Sequence, residues 1–164
     1  MKQFLFLLIF FFLLQHIFAQ ATNFTVEEID SIVKKIDFNC ISGGIVDYEF
    51  HKKGQKKKVI GGGADWFYTD TSGKVLLKVN KEISLASENM DIYYFYKDSL
   101  IFLKTSSATY IDGKKKINWQ GVYYFQNSQL IFKDDDLKFV FKPESYLKTA
   151  KQFFDSDQIW RRRR

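Results

Sequence analysis

Residues 92–102 read IYYFYKDSLIF, and residues 122–132 read VYYFQNSQLIF. The two phrases stand 30 positions apart and agree at six of eleven positions. The shared pairs are Tyr93/Tyr123, Tyr94/Tyr124, Phe95/Phe125, Leu100/Leu130, Ile101/Ile131 and Phe102/Phe132. Each phrase breaks at a polar dipeptide, Lys97-Asp98 or Asn127-Ser128. Strand formers on both sides of a polar pair mark a β-hairpin. Any fold for this chain must therefore seat two aromatic hairpins of like build. Neither dipeptide is the favoured Asn-Gly, so a four-residue loop stays open beside the two-residue one.

A two-residue loop sets a register. Phe95 then stands opposite Leu100 and Tyr93 opposite Phe102, with Phe125/Leu130 and Tyr123/Phe132 as counterparts. Side chains alternate along a strand, so these eight residues share one apolar face, the expected core. The other face carries Tyr94 opposite Ile101, Tyr124 opposite Ile131 and Ile92 opposite Leu103. It ends in Tyr96 with Ser99 and Gln126 with Gln129. Cross-strand pairs of this kind stabilise a sheet, at roughly 0.2–1 kcal/mol each. The same residues could instead form an aromatic surface for a partner. Tyr94, Ile101, Tyr124 and Ile131 are thus the candidate binding face.

The phrase Tyr-Tyr-Phe followed by a polar pair and Leu resembles hairpin units of small exported bacterial proteins of unknown function. It is also similar to the Tyr-rich hairpin repeats of MORN-type proteins. The resemblance covers residues 92–102 and 122–132, and both copies lack the glycine common in those turns. It implies a hairpin and no activity.

Around the copies the pattern is segregated. In FTVEEIDSIVKKIDF (24–38), Val26, Ile29, Ile32, Val33 and Ile36 recur at helical spacing. Thr25 with Glu28 predicts a capping box, and Phe24 with Ile29 a hydrophobic staple. From Gly43 the period becomes two, with Val46, Tyr48 and Phe50 on the apolar side of a strand. KKGQKKK (52–58) reads as a solvated turn or guarded edge, because no aromatic or Arg interleaves its lysines. Gly61-Gly62-Gly63 lacks the Gly-Lys-Ser/Thr that a phosphate loop needs and reads as a flexible bend or bulge. Asp70-Thr71-Ser72-Gly73 supplies a turn between strands. Pro143 opens a second helix with Tyr146, Leu147, Ala150, Phe153 and Phe154 on one face. The expected fold is α+β: an N-terminal helix, an antiparallel meander sheet of about six to eight strands with hairpin repeats, and a C-terminal helix.

The first 19 residues have the layout of a signal peptide. Lys2 precedes an apolar run from Phe4 to Leu14, and Ala19 offers a cleavage site before Gln20. The run is shorter than the ~20 residues of a membrane span. A single domain over 20–160 is expected to be secreted or periplasmic, followed by a basic tail at 161–164. Net charge is +6. Arg161, Arg162, Arg163 and Arg164 supply most of it, so the basic balance reflects a solvated tail that could attach weakly to an anionic surface, and it does not point to nucleic acid. The Asn23-Phe24-Thr25 sequon matters only in a host that glycosylates exported chains.

Reactive groups are sparse. Cys40 is the one cysteine, which excludes an internal disulfide. It reads as a small buried side chain, with a reactive thiol or an intermolecular bridge as the alternatives. His51, the one histidine after residue 19, reads as a surface residue. A single His and a single Cys do not make a zinc site. Asp134 and Asp136 would share a face in an extended segment and are candidate cation ligands. No cofactor is expected. The leading expectation is a non-catalytic exported domain binding a protein or cell-envelope component. The alternative is a small hydrolase acting outside the cytoplasm through carboxylates.

Overall fold

A computed structural model describes residues 23–136 and 139–161. The signal-peptide reading and Arg162, Arg163 and Arg164 lie outside the described residues. Helix α1 (Val26–Asn39) precedes seven strands, and helix α2 (Pro143–Arg161) follows them. The strands are β1 (Ile41–Lys52), β2 (Gln55–Thr69), β3 (Leu76–Ser84), β4 (Glu88–Tyr96), β5 (Ser99–Ile111), β6 (Lys114–Gln126) and β7 (Gln129–Asp135). They form one antiparallel sheet in sequence order, as the segregated pattern requires.

The turns show how the hairpins close. Lys97 and Asp98 have φ of 46° and 62°, and Asn127 and Ser128 have 50° and 61°. Positive φ at both central residues defines the type I′ loop, whose twist matches that of the flanking strands. The two-residue loop is therefore the one formed. Pairing follows the expected register only as far as Phe95–Leu100 and Phe125–Leu130. It then slips by one residue at Ile101 and at Ile131, so that Tyr94 pairs with Phe102 and Tyr124 with Phe132. Such a slip inserts one residue and changes the face of those beyond it. Phe102 accordingly lies with Tyr94 rather than Tyr93, and Leu103 takes the place beside Tyr93. Phe132 follows the same rule but remains about half exposed.

The repeats divide the core in two. On one side Tyr93, Phe95, Leu100, Leu103, Tyr123 and Phe125 pack under Ala150 and Phe153 of α2. On the other, Tyr94, Ile101, Phe102 and Tyr124 pack under Ile29 and Ile36 of α1. Each helix thus covers one face, and both apolar stripes read from the sequence point inward. The capping box forms as expected: Glu28 N–H donates to the Thr25 hydroxyl at 3.2 Å, and Thr25 N–H to the Glu28 carboxylate at 2.8 Å.

The three glycines stand at a bulge in a continuous strand rather than in a flexible turn. They lie inside β2, and the register slip falls beside them, between Val59 and Gly61. Their role is clearance. A Cβ on Gly63 would stand 2.6 Å from the Tyr48 ring, and one on Gly61 would stand 2.3 Å from the Ser84 carbonyl. In KKGQKKK the turn is confined to residues 53–54, and Gln55 onward is strand.

Candidate functional site

The candidate binding face is not open. Tyr94, Ile101 and Tyr124 are buried beneath α1, while Ile131 stays partly exposed at 43%. Both tyrosines are used to seat the helix. Tyr94 donates to both Asp37 carboxylate oxygens at 3.1 Å, and Tyr124 donates to Asp30 Oδ1 at 2.8 Å. Asp30 and Asp37 are seven residues apart, about 10.5 Å along a helix. Tyr94 and Tyr124 are two strands apart, about 9.6 Å across a sheet. The near match lets one helix engage both copies. The turn-end positions join in: Tyr96 packs edge-on against Phe24, and Gln126 donates to Asn23 at 2.7 Å. Burial is the first cause that raises the Tyr94 and Tyr124 hydroxyls, with Asp37 and Asp30 adding to it; Tyr124 is pushed up to about 12.

The other candidates are also accounted for. Asp136 accepts from Gln120 N–H at 3.0 Å and closes the β6–β7 pairing. Asp134 is exposed, and among the described residues no group of three or more His, Cys, Asp and Glu could hold a metal. Cys40 is free, half-buried beside the α1 core, with its N–H capping the helix through Ile36 O at 2.9 Å. His51 is exposed, 3.5 Å from Glu49. The length of β1 separates Cys40 from His51 by roughly 35 Å, so they form no pair.

A polar seam escaped the sequence reading. One register line crosses the α2 face through Asp65, Lys81, Asp91, Thr105, Gly121 and Asp135. Lys81 Nζ donates to the Tyr48 hydroxyl at 3.2 Å and to Asp65 Oδ1 at 3.3 Å. Gly63 makes room for the Tyr48 ring that closes this cluster. Thr105 Oγ1 donates to Asp91 Oδ1, and Tyr123 donates to Asp135 at 3.0 Å. Burial lowers the Lys81 ammonium, but Tyr48 and Asp65 outweigh it and the net shift is upward. Burial raises Asp91 against the opposing pull of Thr105 and Lys81. Burial also pushes Tyr146, on α2, up to about 12, with Asp91 adding to the effect. Asp91 is thus the group inclined to hold a proton, while Lys81 and Asp65 hold each other. Only the pairing register brings these residues together. The one sequence signal was the glycine run that clears space for Tyr48.

The sheet is longer than its helices. Both cores lie toward the 97–98 and 127–128 turns. The opposite end keeps Val59, Ile60, Leu85, Tyr110, Ile111 and Ile117 exposed, and Ile45 with Trp66 is exposed near the β1 edge. Among the described residues no helix is long and apolar enough to cross a membrane. Comparison with known proteins finds no matching family model, no matching curated protein and no matching solved structure.

Proposed function

We propose that this chain is an exported, non-catalytic domain that binds a protein or a cell-envelope component. The observation that carries the reading is the half of the sheet that extends past both helices with aliphatic side chains exposed. A β-sheet face that is wholly structural is either covered or polar. The signal-peptide layout of residues 1–19 supports a location outside the cytoplasm for such a surface. The mature chain should begin at Gln20, which mass spectrometry of the exported protein reads directly. Replacing Val59 and Ile111 together by Ser should lower retention on washed cell envelopes at least about tenfold. The melting temperature should hold, since both side chains are partly solvated already. Undiminished retention would remove the surface from consideration.

A carboxylate hydrolase is the second reading, favoured by one observation. Asp65 and Asp91 flank Lys81 on neighbouring strands in unlike environments, one ion-paired and one shifted toward its protonated form. A carboxyl raised toward its protonated form beside an ion-paired carboxylate could divide acid and base roles in a hydrolase.

A further inference from the structure

We propose that the end of the sheet formed by the β1–β2 and β5–β6 hairpins docks on an anionic lipid surface. The proposal rests on the binding reading above and narrows its envelope component to lipid. In a meander, the β1–β2, β3–β4 and β5–β6 connections all fall at one end. The last β3–β4 pair, Ser84 with Glu88, lies level with Gly62 and Glu49 on one side and Ala108 and Ile117 on the other. Beyond that level β1 runs three residues further, to Lys52, and β5 three further, to Ile111. Each hairpin therefore projects roughly 10 Å past the β3–β4 connection. The end of the sheet is a two-pronged fork.

Both prongs are basic. The first carries exposed Lys52, Lys53, Lys57 and Lys58, and the second exposed Lys114, Lys115 and Lys116. These runs are some 60 positions apart in sequence and meet only through the topology. Few acids oppose them. Glu88 is bound to Lys115 at 2.6 Å and to Tyr110 at 3.0 Å, Glu49 lies 3.5 Å from His51, and Asp112 sits in the second turn. Beside the lysines stand aliphatic residues: Val59 and Ile60 on the first prong, Leu85 between, and Ile111 and Ile117 on the second. These five are 48–56% exposed.

The combination selects the partner. A nucleic acid or acidic polysaccharide would use the ammonium groups and leave the aliphatic side chains idle in water. Single-stranded nucleic acid would further call for several stacking aromatics or arginines among the lysines; the prongs carry no arginine, and their exposed Tyr110 is tied through its hydroxyl to Glu88. An anionic bilayer uses both sets, phosphate headgroups for the lysines and the headgroup–acyl boundary for the aliphatic tips. Lysine stems suit this depth, burying their methylenes while the ammonium stays at the phosphate level.

The test is co-sedimentation of the full mature chain with phosphatidylglycerol or phosphatidylcholine vesicles. Binding should appear with the anionic lipid and weaken with salt. Changing Lys57, Lys58, Lys114 and Lys116 together to Gln should weaken it at least about 100-fold, at roughly several-fold per lysine. Changing Ile60 and Ile117 to Ser should weaken what remains at high salt. Circular dichroism melting monitors the fold of each variant. A chain ended at Trp160 should bind nearly as well as the full chain. Failure to bind anionic vesicles, full binding by the Gln variant, or loss of binding on removing the arginine tail alone would each overturn the proposal. So would equal affinity for duplex DNA that ignores the Ile60 and Ile117 changes. Retention on washed envelopes separates the two levels: if it persists while vesicle binding fails, the lipid assignment falls and the broader reading stands. If both fail, both fall.

Discussion

At the residue scale, Asp91 is the side chain whose environment departs furthest from what its sequence neighbours foretell. It stands in a strand, opposite Lys81 and Thr105, and burial raises its carboxyl above the usual aspartate range. A carboxyl raised in the fold binds its proton more tightly there than in the unfolded chain. Its contribution to stability is whole below about pH 4 and is lost as pH rises through the folded value. Asp91→Asn keeps an oxygen for the Thr105 hydroxyl and carries no charge. It should melt at a higher temperature than the parent at pH 7 and at the same temperature near pH 3. Thermal scans at the two pH values check this, and a lower melting temperature at pH 7 would assign the carboxylate a stabilising partnership with Lys81. The hydrolase reading would gain if the same change abolished a hydrolytic activity.

At the element scale, the hairpins are well built except at their tips. Lys97, Asp98, Asn127 and Ser128 occupy left-handed backbone that costs a residue with a Cβ about 1–2 kcal/mol. Changing Lys97 to Asn with Asp98 to Gly should raise stability by about 1 kcal/mol, read as a higher urea midpoint at unchanged slope. The strands, the caps and both helix stripes could be read from periodicity because each depends on residues close in sequence. The slips at Ile101 and Ile131 could not. Nothing local distinguishes an inserted residue from a paired one, and so periodicity alone sets Phe102 and Phe132 on the wrong face. The same limit explains Tyr94 and Tyr124. Periodicity leaves open whether their face is scaffold or binding surface, because its cover, α1, is set by Asp30 and Asp37, far away in the chain.

At the scale of the whole molecule, the sheet depends on two helices that never share a face. Removing residues 20–40 would strip Ile29 and Ile36 from Tyr94, Phe102 and Tyr124 and leave a continuous aromatic face in water. The shortened chain should lose its cooperative melt and bind a hydrophobic dye, even though every strand is intact. A sharp melt near the parent temperature would mean that α1 is dispensable. The charge of the molecule also resolves only at this scale. A linear reading credits the arginine tail, whereas the meander draws two lysine runs into one fork. The seam of Asp65, Lys81 and Asp91 was hidden for the same reason, since three strands had to be brought into register before it existed.

The match between α1 and the repeats has a further consequence. Adding one hairpin of 30 residues to the sheet would widen it by two strands, and lengthening the helix by seven residues would supply the next aspartate in step. The fold therefore has a rule of enlargement, one heptad for each hairpin. The small surplus of helix pitch over strand spacing, about 1 Å per step, acts like a vernier, so that the match would drift out of alignment after a few units. Two copies lie well inside that tolerance.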